Sequence, residues 1–232
     1  MEILALLTGR GGSSFKNKNT KKILKKPVLA YPCLEAKKIK KIKYFYASSD
    51  DKKILNAASK YKYKTILRPK KYSRSDSNHH DVLLHSIKEL KKKNIFPDII
   101  VVLLANAPII KKKWINDCLK ILIKKNLTAV VPVFQDNDKH PYRAKKIEAG
   151  ILKPFVKSKN KISTNRQQLK KCFYLCHNFW VIRTKSILKN NGFKPWNFMG
   201  KKVAPYLVKI SHDIHDSIDF KICEYILRKN VF

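Results

Sequence analysis

Asp98-Ile-Ile-Val-Val-Leu-Leu104 is the stretch that decides how this chain folds. Its apolar run is continuous and β-branched, which marks a strand buried on both faces, as parallel sheets require. Before it, Val82, Leu83, Ile87 and Leu90 recur at helical spacing and predict a helix over His79–Lys92. After it, Trp114, Ile115, Cys118, Leu119 and Leu122 share one side of a predicted helix over Lys111–Lys124, and Leu127–Phe134 reads as the next buried strand. Toward the N-terminus the alternation continues. Ile3–Leu7, Tyr44–Ala47 and Lys64–Leu67 are short strands. A helix is expected from Pro27, at its first position, to about Lys38. Another is expected to be capped by Ser48-Ser49-Asp50 and to run to about Tyr61. Phe179–Ile182 and a helix over Ser217–Leu227 complete the series. Strands and helices in such alternation predict an α/β fold around a mainly parallel sheet, with residues 1–232 as a single domain. Gln135 to Leu175 breaks the rhythm and is expected as an irregular insertion or hairpin arm.

The chain carries 52 Lys+Arg against 16 Asp+Glu, a formal net charge of +36 over 232 residues. That imbalance points first to nucleic acid. The cations, however, are spread over nearly every segment, and Lys greatly outnumbers Arg, the residue on which base readout leans. Nucleic acid is therefore not the expected partner; compositional bias, or anionic small molecules, fits the pattern better. Hydrophobic residues at 44 % exclude intrinsic disorder. No apolar run is long enough to span a bilayer, and the N-terminus lacks the pattern of a signal peptide. Five scattered cysteines fit reduced thiols in a cytoplasm rather than a disulfide framework.

In open α/β sheets ligands bind beyond the carboxyl ends of the strands, and three polar loops fall there. The first is Thr8-Gly9-Arg10-Gly11-Gly12-Ser13-Ser14-Phe15-Lys16-Asn17-Lys18-Asn19. It matches neither the P-loop nor the dinucleotide fingerprint. Its glycines allow backbone N–H groups to face an anion, and Arg10, Lys16 and Lys18 add charge-assisted bonds to a triphosphate; a plain glycine turn with solvated lysines is the alternative. The second follows Leu104. The third is Asp213-Ile-His215-Asp216-Ser-Ile-Asp219, which with Glu224 gathers four of the 16 acids into twelve residues. Asp213 and His215 alternate, so an extended backbone turns both the same way. With waters and phosphate oxygens they suffice for Mg²⁺; because His is an unusual Mg²⁺ ligand, either Mn²⁺ takes its place or His215 acts through water. Asp216, Ser217 and Asp219 read as helix-capping residues. Asp50-Asp51 reads the same way. Trp114 and Trp180 read as core, and Trp196 as lining a ligand loop. Cys172-x3-Cys176-His177 resembles metal spacing but has no partner pair elsewhere and reads as structural; His79, His80 and His85 lie on a predicted helix, where His80 and His85, five apart, match one face poorly.

Together these pieces resemble the acylneuraminate cytidylyltransferase family. Its members begin with an A-R-G-G-S-K-G-x-x-x-K-N-like loop, here Thr8 through Asn19. They continue with stretches matched by Lys26-Pro-Val-Leu-Ala-Tyr-Pro-Cys-Leu-Glu-Ala36, Tyr46-Ala-Ser-Ser-Asp-Asp-Lys-Lys-Ile54 and the segment from Arg68-Pro69 to His85. Leu104-Ala-Asn-Ala-Pro108 occupies the place of the family's Gln-Pro-Thr-Ser-Pro-like turn. Pro141-Tyr-Arg143 and Asn165-Arg-Gln-Gln-Leu169 are similar to its sugar-binding arm, and Asp213 to Leu227 to its closing motif. The ordered set covers essentially the whole chain. The Gln-Gly-Asp-Glu-Pro stretch of the related enzymes for the eight-carbon sugar Kdo is absent.

The resemblance implies a Rossmann-like three-layer fold with an inserted dimerisation arm around residues 135–178, and a homodimer. It implies transfer of CMP from CTP to a sialic-acid-like nine-carbon 2-keto-3-deoxy sugar acid, with release of pyrophosphate. Arg10, Gly11, Gly12, Ser13, Lys18 and Asn19 would bind the triphosphate, and Arg68, Ser73 and Ser77 would surround the cytidine. Asn106, Arg143, Arg166 and Gln167 would meet the sugar. Arg10, Lys16 and Asp213 would be catalytic, and Asp213 with His215 would hold the metal. The sequence departs from the family at Ser14, where a Lys is expected and Lys16 is the substitute, at Leu104 and Ile110 around the turn, and at His215 in place of a second Asp. Two other readings keep the fold: a different sugar or nucleotide, or a catalytically degenerate relative that binds polyanions.

Overall fold

β1 (Ile3–Thr8) and β6 (Ile99–Leu104) lie side by side at the centre of an eight-stranded sheet, paired in parallel from Ile3↔Ile99 to Thr8↔Leu104. The structure is a computed structural model and describes residues 1–12, 15–74 and 76–232. Between the two central strands the chain runs through the tiny hairpin β2 (Lys22–Ile23) and β3 (Lys26–Pro27), α1 (Ala30–Lys37), β4 (Tyr44–Ser49), α2 (Lys52–Ser59), β5 (Lys64–Leu67) and α3 (His79–Lys91). After β6 come α4 (Lys112–Lys124), β7 (Ala129–Gln135), the hairpin β8 (Lys145–Glu148) and β9 (Ile151–Pro154), β10 (Phe173–Leu175), β11 (Phe179–Arg183), α5 (Thr184–Lys189), β12 (Val203–Leu207) and α6 (Ser217–Lys229).

The sheet order is β10-β7-β11-β6-β1-β4-β5, with β12 also on β7. β1, β4, β5 and β6 are mutually parallel, and β12 runs parallel to β7. β11 is antiparallel to both β6 and β7, and β10 is antiparallel to β7. Side chains alternate across the pleat, so each central strand feeds two cores. Ile3, Ala5, Leu7, Ile99, Val101 and Leu103 pack with α1, α2, α4 and α6. Leu4, Leu6, Ile100, Val102 and Leu104 pack with α3 and α5. This is the expected three-layer α/β arrangement.

Two expected boundaries shift, each for a local reason. Pro27 ends the small hairpin and does not open the helix; α1 begins at Ala30, and Pro32 sits in its first turn, where an N–H has no partner to lose. Ser48 and Ser49 belong to β4, and the cap of α2 is Asp51, whose carboxylate accepts from Lys53 N at 2.7 Å. The interval over residues 135–178, where the sequence rhythm breaks, holds the short strands β8, β9 and β10 and brief helical turns. The β8–β9 hairpin closes on Ala149 and Gly150, both at positive φ, and leaves Ile147, Ile151, Leu152 and Phe155 between 63 % and 74 % exposed. No helix among the described residues is long and apolar enough to cross a membrane.

Candidate active site

The carboxyl ends of β1, β4 and β6 are level, since Thr8 pairs with both Ser48 and Leu104. The loops leaving these strands enclose a cleft of about 380 Å³. Thr8, Gly9 and Arg10 enter it after β1, Arg68 after β5, Leu104 and Asn106 after β6. Ser77, His79 and Val82 come from the start of α3, and Asp213 and His215 from the segment before α6. β11 runs against its neighbours, so its first residues also lie at this end and bring His177 to the wall. A side chamber of about 230 Å³ adjoins the cleft and shares Arg10, Lys18 and Asn19 with it; Gly11, Gly12 and Lys16 line its other walls.

The first loop needs glycine for two reasons. A Cβ on Gly9 would stand 2.8 Å from the Cβ of Ala105, where β1 and β6 hand over to their loops. Gly12 has φ +65°. Asn19 is buried; its amide donates to Arg10 O at 3.2 Å, and its Oδ1 has no partner among the described residues.

The acidic segment is fastened across the cleft. Ile214 N donates to Asn106 O at 2.9 Å, and Asn106 Nδ2 donates to Ile214 O at 3.2 Å and to Asp213 Oδ2 at 3.1 Å. Lys18 Nζ donates to the same Ile214 carbonyl at 2.7 Å. Burial lowers the Lys18 ammonium below its ordinary pKa, opposed by Asp213 and reinforced by Arg10. His215 Nε2 lies 2.9 Å from Asp213 Oδ2, so the two alternate residues do converge. Behind them, Asp216 caps α6 through Ile218 N and Asp219 N. Asp219 returns the bond to Asp216 N, holds His215 N at 2.8 Å and takes His212 Nε2 at 2.7 Å. Among the described residues no set of three His, Cys, Asp or Glu converges on one point. One carboxylate, with the imidazole acting through water, fits a cation that keeps most of its waters, such as Mg²⁺, and direct imidazole ligation fits Mn²⁺; the pair does not fit a cation that demands a full protein cage.

Of the residues expected to act, Arg10, Lys18, Asn19, Arg68, Ser77, Asn106, Asp213 and His215 line the cleft, and Arg10, Gly11, Gly12, Lys16, Lys18 and Asn19 line the side chamber. Ser73 lines neither; its hydroxyl accepts from Arg68 Nε at 2.8 Å. The Ser77 hydroxyl is occupied by Lys71 O and Arg74 N. Arg143 and Arg166 both turn to Asp138 within the arm, and Gln167 is exposed beside them. None of these three lines the cleft of its own chain. Ser13 and Ser14 lie outside the described residues.

Two cleft residues carry no signal as a pair in the sequence. His79 and His177 stand 98 positions apart, and both pack on Trp180 and Trp196 with ring centroids 5.1–6.3 Å apart. Burial, then His177 and Arg68, push the His79 imidazole down to about 4. Burial also lowers His177, against the pull of Asp213. This part of the cleft wall is aromatic, and burial favours the neutral form of both imidazoles. Trp196 supports this wall from behind. Cys176 is buried with its thiol raised to about 11, a core residue rather than a ligand.

Cations able to neutralise a row of phosphates thus face a carboxylate across a narrow cleft, the division of labour that a nucleotidyltransferase needs. Sequence comparison agrees with that class. Residues 4–190 match the family model described as Cytidylyltransferase, and the chain belongs to that family. It is 27 % identical to the "Post-translational flagellin modification protein B" of Campylobacter coli, over 98 % of this chain and 96 % of that protein. It is 28 % identical to the CMP-N,N'-diacetyllegionaminic acid synthase of Campylobacter jejuni, over 97 % and 95 %. Its fold is similar to that of a CMP:2-keto-3-deoxy-manno-octonic acid synthetase solved with CTP, with a TM-score of 0.71 at 13 % identity, covering 99 % of this chain and 100 % of that one.

Proposed function

We propose that this cytidylyltransferase is a cytoplasmic enzyme that transfers CMP from CTP to a sialic-acid-like nine-carbon 2-keto-3-deoxy sugar acid. The observation that carries the reading is the joint at Ile214, where Lys18 from the glycine loop and Asn106 from the end of β6 meet the segment bearing Asp213. On this reading the joint would hold the groups for the triphosphate beside those for the reacting centre. The sugar's anomeric hydroxyl would attack the α-phosphorus in line, forming one P–O bond as the bond to pyrophosphate breaks. Arg10, Lys16 and Lys18 would bind the negative charge that leaves, and Arg68 and Ser77 would face the cytidine. Asn106 would lie at the junction of the two substrates. Asp213 and His215 would hold Mg²⁺ or Mn²⁺, which when bound would supply charge to the α-phosphate.

Arg143, Arg166 and Gln167 stand on the arm, away from this chain's cleft. We place them at the sugar carboxylate of a second copy, in a homodimer whose contact includes the exposed apolar residues of the β8–β9 hairpin. Changing Ile147, Ile151, Leu152 and Phe155 together to serine should turn a dimer into a monomer in light scattering. A monomeric wild type would overturn the arrangement.

The function is tested by incubating the protein with CTP, a divalent ion and a panel of nonulosonic acids, and weighing the product. A CMP-sugar that appears only with all three components supports the reading. No product from any sugar, with RNA bound in a salt-dependent way, would favour the non-catalytic polyanion binder instead.

A further inference from the structure

Asp50 and Asp51 are neighbours with opposite tasks. Asp51 caps α2. Asp50 turns the other way, and its Oδ1 accepts from Gly11 N at 3.0 Å while lying 3.8 Å from Arg68 Nη2. Arg68 is only 4 % exposed and donates Nη2 to Gly9 O at 2.6 Å. Gly9 and Gly11 flank Arg10. The carbonyl before Arg10 is therefore tied to Arg68, and the amide after it to Asp50. Asn19 ties the carbonyl of Arg10 itself. The Arg10 side chain is left exposed between the cleft and the side chamber. Glycine has little intrinsic preference for one backbone conformation, so Gly9 and Gly11 on either side of Arg10 must be fixed by ties from outside the loop. Asp50 lines neither chamber.

We propose that Asp50 is a positioning residue that aims Arg10 at the terminal phosphates of the bound nucleotide. The proposal rests on the CTP reading given above. It predicts a loss confined to ligands that carry the outer phosphates, because Arg68 keeps Gly9 and Ser73 as partners when Asp50 is removed.

The test is titration calorimetry with CTP, CMP and inorganic tripolyphosphate on the wild type, Asp50→Ala, Asp50→Asn, Arg10→Ala and the double variant of Asp50→Ala with Arg10→Ala. Asp50→Ala should weaken CTP and tripolyphosphate by roughly tenfold, the size of one charge-assisted hydrogen bond, with CMP changed less than about threefold. Arg10→Ala should do the same, and the double variant no more than either single change. Asp50→Asn keeps an acceptor for Gly11 N and should fall between wild type and alanine; it also serves if the alanine variant does not fold. Equal losses for CTP and CMP, or additive effects with Arg10→Ala, would overturn the positioning role. A wild type that binds tripolyphosphate but not CTP would overturn the nucleotide reading and leave the positioning role to be decided by tripolyphosphate alone.

Discussion

Asp213 is held by three neighbours, and each constrains what its carboxylate can do. Asn106 and His215 both meet Oδ2, and the backbone of Ile214 anchors the residue to the floor of the cleft. Asp213→Ala leaves that backbone anchorage in place. Turnover should fall by about 10²–10³-fold or more, the cost of losing one electrostatic stabiliser of the transition state, with an unchanged melting temperature. Near-normal turnover in this variant would remove Asp213 from the chemistry. Asp213 was legible in the sequence because acids are scarce and this one has no cap to serve. Asp50 was not, because Ser-Ser-Asp-Asp before a helix offers several caps and nothing in the letters says which aspartate turns inward. The histidines are a third case. Burial lowers the imidazole pKa of His79, His85 and His177. In the unfolded chain each would titrate near 6.5. Below that pH the unfolded state takes up protons that the folded state refuses, so stability is full above pH 6.5 and declines as the pH drops. His79 opens to the cleft, where water offsets part of its burial, so its share of the loss is smaller than its shift alone implies. Urea midpoints should fall between pH 6.5 and 5 for wild type and fall less for His85→Gln. A flat profile over that interval would contradict the burial of these rings.

α6 shows how an element can serve a site that it does not line. Its reciprocal cap joins Asp216 and Asp219, and Asp219 continues to His215 N. The cap that starts the helix is thus the support for the carboxylate–imidazole pair. Asp219→Ala should cost about 1 kcal/mol of stability and also lower turnover, since His215 N and Asp216 N lose their acceptor. A loss of stability with full turnover would separate the two. Elements with continuous apolar runs or strong helical spacing were readable to within a residue or two: β1, β5, β6, α3 and α4. β12 was not. Its Val-Ala-Pro-Tyr-Leu sequence is half exposed and contains Pro205, which an edge strand tolerates but a strand pattern disguises. The short strands of the arm carry no buried face, so periodicity had nothing to register.

At the scale of the molecule, +36 charges repel one another at every distance within the screening length. The surface ion pairs cannot balance them, because 16 acids face 52 cations. Raising NaCl from about 0.1 M to about 1 M shortens the screening length from roughly 10 to 3 Å, so the melting temperature should rise with salt. A fall would mean that the paired acids dominate. The three-layer fold was legible as a whole because the alternation of elements constrains it more tightly than any single boundary. The partnership between chain ends was not, since no local pattern joins Lys18 to Ile214, 196 positions later. That bond also sets an order in time. A ribosome delivers the glycine loop, β4 and β6 long before Asp213, and a domain folds as a unit. The joint between Lys18 and Ile214 therefore closes only after every strand that flanks the cleft has been made.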